Sequence, residues 1–265
     1  MRTTQRLVTA TCLAVALACA AGCRNRAAEL RLTEARTALE QKRYDQAMLA
    51  ADEYLKKDPK GNGAAEAHYF RGRALEQRVK KDDAQFLRDL GAARASYVQA
   101  VKSSPSSGLE AYVQTSLGNV TYWLNDYASA EAAFREAHEL LPKGNLKGWA
   151  LYRLGLSQQR QGRWAQADET FAAVQKDFAG SEMAHRAKQH QGARAFYVQV
   201  AAFQNPTNAD KLVTSLRQQG LSTQRLPKPE RKLHLVMAGP AKTYKEALAL
   251  RGRLNGQFRD AVIVP

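Results

Sequence analysis

Hydrophobic and polar positions follow a helical pattern over most of the chain and a strand pattern near its C-terminus. Between residues 27 and 193, apolar residues recur at the spacing of amphipathic helices. At residues 195–203 the pattern changes to alternation with aromatic and β-branched side chains, which predicts a strand. The first 22 residues instead hold one apolar stretch after a basic start. The pattern therefore divides the chain into residues 1–22, 23–193 and 194–265.

The N-terminal segment has the order of a secretory signal. Arg2 and Arg6 provide a basic start, residues 7–21 are apolar apart from two threonines, and small residues lead up to Cys23. A basic region, a short apolar region and a small-residue cleavage site in this order direct export. We therefore expect residues 1–22 to act as a signal peptide.

The same segment resembles a bacterial lipoprotein signal. In that family the cysteine after the small residues is acylated, which implies Cys23 as the lipid-attachment residue and a membrane anchor. The residue three positions earlier is Ala20 where the family usually has Leu, and Cys19 is a less typical alternative site. The family's sorting rule implies the outer membrane, facing the periplasm, because Arg24 and not Asp follows the cysteine. An ordinary cleaved signal and an uncleaved anchor are the alternatives.

Two segments of the helical region are related by an offset of 37 residues. Their matching positions are Leu117, Gly118, Tyr127, Ala130, Phe134 and Ala137 in one copy and Leu154, Gly155, Trp164, Ala167, Phe171 and Val174 in the other. The pattern resembles the tetratricopeptide repeat, a helix-turn-helix unit with a period of about 34 residues. An earlier copy contains Tyr44, Ala47, Ala51, Tyr54 and Pro59, and another contains Gly72, Ala93, Tyr97, Ala100 and Pro105. The second contains a charged insertion at Val79–Gly91, which either lengthens a helix or forms a loop.

This resemblance implies an all-α array of stacked helix pairs over residues 23–193. Such arrays have a concave surface that binds peptides and proteins, here expected to be envelope or cell-division proteins. Ser181 predicts the cap of a last helix that ends near Gln191. We interpret five aromatic residues at helical spacings as core packing. They are Tyr112, Tyr122, Trp123, Trp149 and Tyr152.

Residues 194–265 repeat one plan of strand and helix. In the first half, Asn205-Pro206 after the strand predicts a helix start, and Gly220 predicts its end. The second half has a strand at residues 234–238, a turn at Gly239-Pro240 and the capping box Thr243-x-x-Glu246. Short strands at residues 221–226 and 261–264 complete a β-α-β-β-α-β order. We therefore predict an α+β domain with a four-stranded antiparallel sheet and two helices on one face.

This C-terminal segment resembles a SPOR domain, the sporulation-related repeat of bacterial envelope proteins. The resemblance lies in residues 197–203, in the apolar series that ends at Gly220, and in residues 236–240. It implies binding of peptidoglycan, with a preference for glycan strands stripped of their stem peptides. The family binds glycan on the face of the sheet that carries no helix.

Strand parity predicts which side chains lie on that face. Val198, Val200, Val236 and Ala238 should point toward the helices. The glycan-binding candidates are then Tyr197, Gln199, Leu233, Leu235 and Met237. The family often has an aromatic residue at position 233 and Arg at position 235, so the two leucines depart from its pattern. An apolar trio at 233, 235 and 237 on an uncovered sheet would pack on the repeats, bind a partner or bind glycan through apolar contact.

Composition and net charge limit which ligands and activities the sequence favours. The 40 basic and 25 acidic residues give a net charge of +15, and residues 194–265 alone carry 12 basic and four acidic side chains. A basic module is attracted to the carboxylates of peptidoglycan, whereas export argues against nucleic acid as a partner. All three cysteines lie within the first 23 residues, as expected for an oxidising periplasm. The five histidines lack metal-ligand spacing and no nucleotide or nucleophile motif occurs, so we expect no metal, no cofactor and no enzyme activity.

Two hypotheses follow from the sequence. The first is an outer-membrane lipoprotein that binds glycan through its SPOR-like domain and recruits proteins through its repeats. The second is a periplasmic protein-assembly scaffold whose SPOR-like sheet binds protein, because Leu233 and Leu235 replace the usual glycan contacts. The boundary near residue 194 has no Pro/Gly-rich linker, which favours a packed interface between the domains.

Overall fold

The computed structural model describes residues 26–265. The predicted signal peptide at residues 1–22 and the predicted lipid-attachment residue Cys23 lie outside the described residues. Within residues 26–265, none of the helices combines the length and the apolar character needed to cross a bilayer. The chain forms two compact units. The first extends to Leu124 and includes Glu139–Leu141, and the second comprises Asn125–His138 and Pro142–Pro265.

Helices account for the described chain up to residue 190. They are α1 (26–40), α2 (Tyr44–Lys57), α3 (Ala64–Gln77), α4 (Asp83–Lys102), α5 (Ser107–Trp123), α6 (Tyr127–Leu140), α7 (Asn145–Arg160), α8 (Trp164–Asp177) and α9 (Glu182–His190). The Ser181 side chain accepts a hydrogen bond from the Ala184 N–H and caps α9, as predicted. The predicted helical array is therefore confirmed.

In the first unit, small residues let neighbouring helices approach closely. Ala35 of α1 packs with Ala50 and Ala51 of α2 and with Phe70 of α3. A Cβ at Gly72 in α3 would lie 2.5 Å from Cε1 of Tyr97 in α4, so the ring occupies the space that any larger residue would need. In these contacts, alanine or glycine of one helix packs against an aromatic ring of another.

The charged insertion lengthens a helix. Helix α4 has 20 residues, and the Asp82 side chain caps it by accepting a hydrogen bond from the Gln85 N–H. Asp89 in the early part of α4 is buried, and Arg78 donates two hydrogen bonds to its carboxylate, at 2.8 and 2.5 Å. These hydrogen bonds lower the pKa of the Asp89 carboxyl below its usual value. The short segment before α4 is therefore fixed by a buried ion pair.

In the second unit, α7 packs on α8 as α3 packs on α4, with a glycine of one helix against an aromatic ring of the other. A Cβ at Gly155 would lie 2.6 Å from Cε1 of Phe171. The fully buried Phe171 ring also lies 6.1 Å, centroid to centroid, from Tyr152. Gly155 and Phe171 belong to one of the 37-residue copies, so the small-residue and aromatic positions of the repeat meet across the helix pair.

The C-terminal elements form the predicted β-α-β-β-α-β order. They are β1 (Phe196–Phe203), α10 (Pro206–Gln218), β2 (Thr223–Lys228), the 3₁₀ turn Pro229–Arg231, β3 (Leu233–Ala241), α11 (Tyr244–Leu254) and β4 (Val262–Val264). The strands pair antiparallel in the order β2-β3-β1-β4. The Asn205 side chain caps α10 and the Thr243 side chain caps α11, as the sequence predicts.

The two helices cover one face of the sheet. Val198, Val200, Val236 and Ala238 form one buried cluster with residues of α10 and α11, among them Val213 and Leu254. The predicted inward-facing positions are therefore confirmed. Burying these aliphatic side chains supplies the main driving force for folding of the sheet domain, at about 25 cal/mol per Å² of apolar surface.

One predicted turn is a strand instead. Gly239-Pro240 lies inside β3, which continues to Ala241. The pairing of β1 with β3 shifts register between Phe196 and Val198 at this point. Gly239 has a φ of +135°, and a Cβ there would lie 3.1 Å from the Phe196 carbonyl oxygen. Only glycine fits this close approach, so the glycine marks an irregular pairing and not the end of the strand.

Candidate functional site

Cross-strand pairing defines which residues share the helix-free face of the sheet. Met237 in β3 pairs with Gln224 of β2 on one side and with Gln199 of β1 on the other. Gln199 in turn pairs with Val262 of β4. Directly opposed residues point to the same face, so these four side chains form one row across all four strands. The row has an apolar centre with a side-chain amide on each side.

Two further rows continue toward the turn between β2 and β3. Leu235 lies between Leu226 of β2 and Ala202 of β1. Leu233 follows, opposite Lys228. Every second residue of β3 is therefore apolar on this face, and the line of these residues ends at a lysine.

The five residues predicted for the glycan site are all placed on this face by the pairing. They are Tyr197, Gln199, Leu233, Leu235 and Met237. Leu235 and Met237, however, are only 5% and 4% exposed, so the trio does not form an uncovered apolar patch. Strand β3 is internal in the sheet, with β2 on one side and β1 on the other. Leu235 and Met237 form the floor of the face and not a protruding patch.

The margins of the face include residues that the sequence analysis did not single out. Gln224, Leu226 and Val262 are exposed on the outer strands, and Lys228 is half-buried beside them. Placing them requires the register of β2 and β4 against the centre of the sheet, which the sequence does not contain. The sequence does contain one indication that these residues share a face, because Gln224, Leu226 and Lys228 stand at every second position.

The chemistry available on the face suits a neutral polar ligand with apolar surfaces. A glutamine amide both donates and accepts hydrogen bonds, which matches hydroxyl and N-acetyl groups. Leucine and methionine side chains contact the apolar faces of sugar rings or of protein side chains. No group of histidine, cysteine or acidic side chains suited to a metal ion is found among the described residues.

A second structural feature joins the sheet domain to the last helices of the array. The guanidinium carbon of Arg160 in α7 lies 3.6 Å from the ring centroid of Tyr244, the first residue of α11. Arg160 also donates a hydrogen bond of 2.9 Å to the hydroxyl of Tyr127 in α6. The two tyrosine rings meet edge to face at 5.8 Å. A cation held between aromatic rings in this way is stabilising, more so when it is partly desolvated.

Apolar and main-chain contacts complete this junction. Trp164 of α8 packs 5.0 Å from the Phe196 ring of β1, centroid to centroid. Asp168 of α8 accepts a hydrogen bond of 2.8 Å from the Gly192 N–H and pairs with Arg194 at 2.7 Å. The connection between α9 and β1 is therefore fixed against α8, as the absence of a flexible linker predicts.

His190, the last residue of α9, lies beside the junction in a largely buried site. Its ring nitrogen Nδ1 is 2.9 Å from the Gln159 side-chain oxygen, and its ring packs on Phe171 and Tyr152. Burial lowers the pKa of the His190 imidazole, and the charge of Arg160 lowers it further. The neutral ring is thus a packing element of the last repeat.

The aromatic residues predicted as core divide into two groups. Tyr122 and Tyr152 are buried as predicted, and Trp149 is half-buried. The prediction is wrong for Tyr112 and Trp123, which are 50% and 54% exposed. Both belong to α5 and are eleven residues apart, about three helical turns, so they lie on one face of that helix. Helical spacing alone did not distinguish this exposed face from the buried one.

Comparison with protein families settles what the two parts of the chain are. Residues 192–265 match the SPOR domain family. The chain carries a SPOR domain. Residues 32–88 and 149–181 each match a tetratricopeptide repeat family. SPOR domains bind peptidoglycan and occur in cell-envelope proteins, and tetratricopeptide repeats bind other proteins, so both parts are binding modules rather than catalytic domains.

Several solved structures of other proteins are similar to part of this chain. The MamA protein is 20% identical, with 64% of this chain and 85% of that chain covered and a TM-score of 0.49. YrrB, described as a TPR protein with an unusual peptide-binding site, is 18% identical, with 61% and 78% covered and a TM-score of 0.48. TTC0263, a TPR protein of Thermus thermophilus, is 18% identical, with 62% and 80% covered and a TM-score of 0.43. No match was found among curated proteins.

Proposed function

We propose that this protein binds peptidoglycan glycan strands through the helix-free face of its SPOR domain and recruits envelope or cell-division proteins through its repeats. The observation that carries the proposal is the row Gln224–Met237–Gln199 across the centre of that face. It offers one side-chain amide on each side of an apolar floor. We propose no catalytic step and no cofactor, because both domains are binding modules.

The row can hold a sugar ring in a defined way. A ring whose apolar side rests on Met237 brings its hydroxyl and N-acetyl groups toward the amides of Gln199 and Gln224. Leu235 and Leu226 extend the apolar surface under the next sugar along β3. In this arrangement the aliphatic side chains take the role that an aromatic residue often has in the family.

The test is co-sedimentation with purified peptidoglycan, before and after an amidase removes the stem peptides. The protein should be the chain without its first 23 residues, because the SPOR domain packs on α7 and α8. A double variant, Gln199→Ala with Gln224→Ala, should bind stripped glycan about tenfold more weakly, since two hydrogen-bonding groups are lost. Gln218→Ala, exposed on α10 on the other side of the domain, is the matched control and should bind normally.

Two results would overturn the glycan proposal. If the unaltered protein sediments with neither form of peptidoglycan, the face does not bind glycan. If the double variant and the Gln218 control bind equally well, glycan binds elsewhere on the domain.

The exposed aromatic face of α5 supports a protein partner for the repeats. Tyrosine and tryptophan are enriched in protein interfaces, and Tyr112 and Trp123 leave large surfaces in solvent in the first unit. We propose this face of α5 as part of the surface that binds an envelope or division protein.

A periplasmic scaffold is the second candidate. The observation that favours it is the apolar line Leu233, Leu235 and Met237, where the family often has an aromatic residue and an arginine. In that case the face would bind a protein segment, and the sedimentation experiment would give no binding to either form of peptidoglycan.

We further propose that Cys23 is acylated and that the protein is held at the outer membrane, facing the periplasm. The lipoprotein-like order of residues 1–24 supports this anchor. A lipid anchor at one end and a glycan-binding domain at the other would link the membrane to the wall.

A further inference from the structure

The turn between β2 and β3 concentrates positive charge at one end of the helix-free face. Lys228 ends β2 on that face, and Arg231 and Lys232 follow in the turn, both exposed. Glu230 is the acidic residue within the turn. In the described chain, none of these three cations takes part in an ion pair. We call Lys228, Arg231 and Lys232 the basic turn.

The basic turn is held in a defined conformation. Pro229–Arg231 form a 3₁₀ turn, and the Lys232 N–H donates a hydrogen bond of 3.0 Å to the Pro229 carbonyl oxygen. Lys228 is fixed by its pairing with Leu233 in the sheet. The backbone that carries the three cations is therefore ordered at this end of the sheet.

Other cations of the domain are engaged or lie elsewhere. Arg225 pairs with Asp210 at 2.7 Å, and Arg217 donates hydrogen bonds to the Thr223 carbonyl oxygen. Lys245, Arg251 and Arg253 belong to α11, which covers the opposite face. The basic turn is thus the positive group at the β2–β3 end of the face, whereas Lys242 follows β3 at its other end.

The distance between the glutamine row and the basic turn determines which group of a ligand lying along β3 reaches the basic turn. Met237, at the glutamine row, lies four positions after Leu233, beside Lys228, which is about 13 Å of strand. A glycan strand lying on the face therefore passes the glutamine row and then the basic turn. The acidic group that such a strand carries directly on its sugars is the lactyl carboxylate of N-acetylmuramic acid.

The state of that carboxylate depends on the stem peptide. In unstripped glycan the lactyl carbonyl forms a neutral amide with the peptide, and the stem's own carboxylates lie on a flexible chain that must be ordered to bind. Hydrolysis of the amide releases the peptide and leaves a carboxylate on the sugar. We propose that the basic turn binds this lactyl carboxylate and thereby gives the protein a preference for stripped glycan. This proposal rests on the proposed glycan-binding function.

The experiment compares two variants with equal loss of charge. One carries Lys228→Gln, Arg231→Gln and Lys232→Gln, and the control carries Lys245→Gln, Arg251→Gln and Arg253→Gln on α11. The ratio of affinities for amidase-stripped and intact peptidoglycan is measured for each, and for the unaltered chain without residues 1–23. Circular dichroism on each variant checks that the exposed substitutions leave the fold intact.

We expect the unaltered protein to prefer stripped glycan. The basic-turn variant should lose about tenfold in affinity for stripped glycan and little for intact glycan, so that its ratio falls toward one. The control variant should keep the ratio of the unaltered protein. The preference of the unaltered protein should also weaken between about 0.05 M and 0.5 M salt, because exposed charges are screened.

A second measurement does not depend on any substitution. Stripped glycan whose lactyl carboxylates have been converted chemically to methylamides should bind the unaltered protein about as weakly as intact glycan does. Equal binding of the amidated and the free acid forms would overturn the proposal.

The outcomes separate this proposal from the proposed function. If the unaltered protein binds both forms of peptidoglycan equally, or if both triple variants lower the ratio alike, the basic turn does not recognise the lactyl carboxylate, although glycan binding stands. If the unaltered protein binds neither form, both proposals fail.

Discussion

Because residue 155 is glycine and has no side chain, α7 and α8 can approach closely at this point. The space that a methyl group would need at Gly155 is filled by the ring of Phe171, which is fully buried and cannot move without disturbing Tyr152 and His190. Protein interiors are close-packed, so the added methyl must displace the ring or the helix.

Gly155→Ala should therefore destabilise the last repeat by about 1–2 kcal/mol, because overpacking outweighs the better helix propensity of alanine. The measurement is hydrogen exchange of the α7 and α8 amides, which reports local opening. Gly252→Ala in α11 is the control, since no atom lies within 4 Å of its added Cβ, and it should leave α11 as stable or stabilise it by up to about 1 kcal/mol. Unchanged exchange in Gly155→Ala would contradict this account.

The sequence predicts individual residues well where one periodicity determines the outcome. Parity along β1 and β3 correctly separated Val198 and Val236 from Gln199 and Met237, because side chains alternate strictly in a strand. It did not predict that Met237 is buried on a face without helices. Met237 lies in an internal strand between Gln199 and Gln224, and this pairing is a property of the assembled sheet.

At the scale of elements, the boundaries that failed are those where two local signals compete. Gly239-Pro240 has the composition of a turn, but tertiary pairing with Phe196 carries the strand through it. The insertion at Val79–Gly91 could have formed a loop or a helix. Burial of Asp89 against Arg78 and the cap at Asp82 favoured the longer α4.

The junction of α7 and α8 with the sheet domain also belongs to this scale. Tyr244 begins α11, and its ring contacts Arg160, Tyr127 and Phe196. No sequence signal pairs these residues, because the contact joins a repeat helix to a domain with a different fold. The absence of a linker predicted that a contact exists but not which residues form it.

Tyr244→Ala should loosen this junction. Loss of the ring removes the cation–π contact with Arg160 and part of the packing on Phe196, at a cost of about 1–2 kcal/mol. The expected result is faster trypsin cleavage after Arg194, which lies between α9 and β1. Tyr112→Ala, which removes an exposed ring from α5, is the control and should leave the cleavage rate unchanged. Equal rates in both variants would show that the ring does not hold the junction.

At the scale of the whole molecule, the proposed lipid anchor at Cys23 can be tested directly. Cys23→Ala should abolish incorporation of labelled palmitate, because the variant lacks the proposed site of acylation. Cys19→Ala is the matched control and should remain labelled and membrane-bound. Loss of label from Cys19→Ala and not from Cys23→Ala would place the acylated residue at the alternative position.

The short connection at the junction limits how the molecule responds to mechanical force. Only residues 191–195 separate α9 from β1, and Asp168 holds two of them through Gly192 and Arg194. If this connection were pulled straight, the domain could move away from α8 by no more than about 17 Å before tension reached the covalent chain. If the SPOR domain holds a glycan strand as proposed, tension in that strand would therefore reach the terminal repeat after a short extension. Movement of the wall under turgor would then be transmitted to the repeats with little slack.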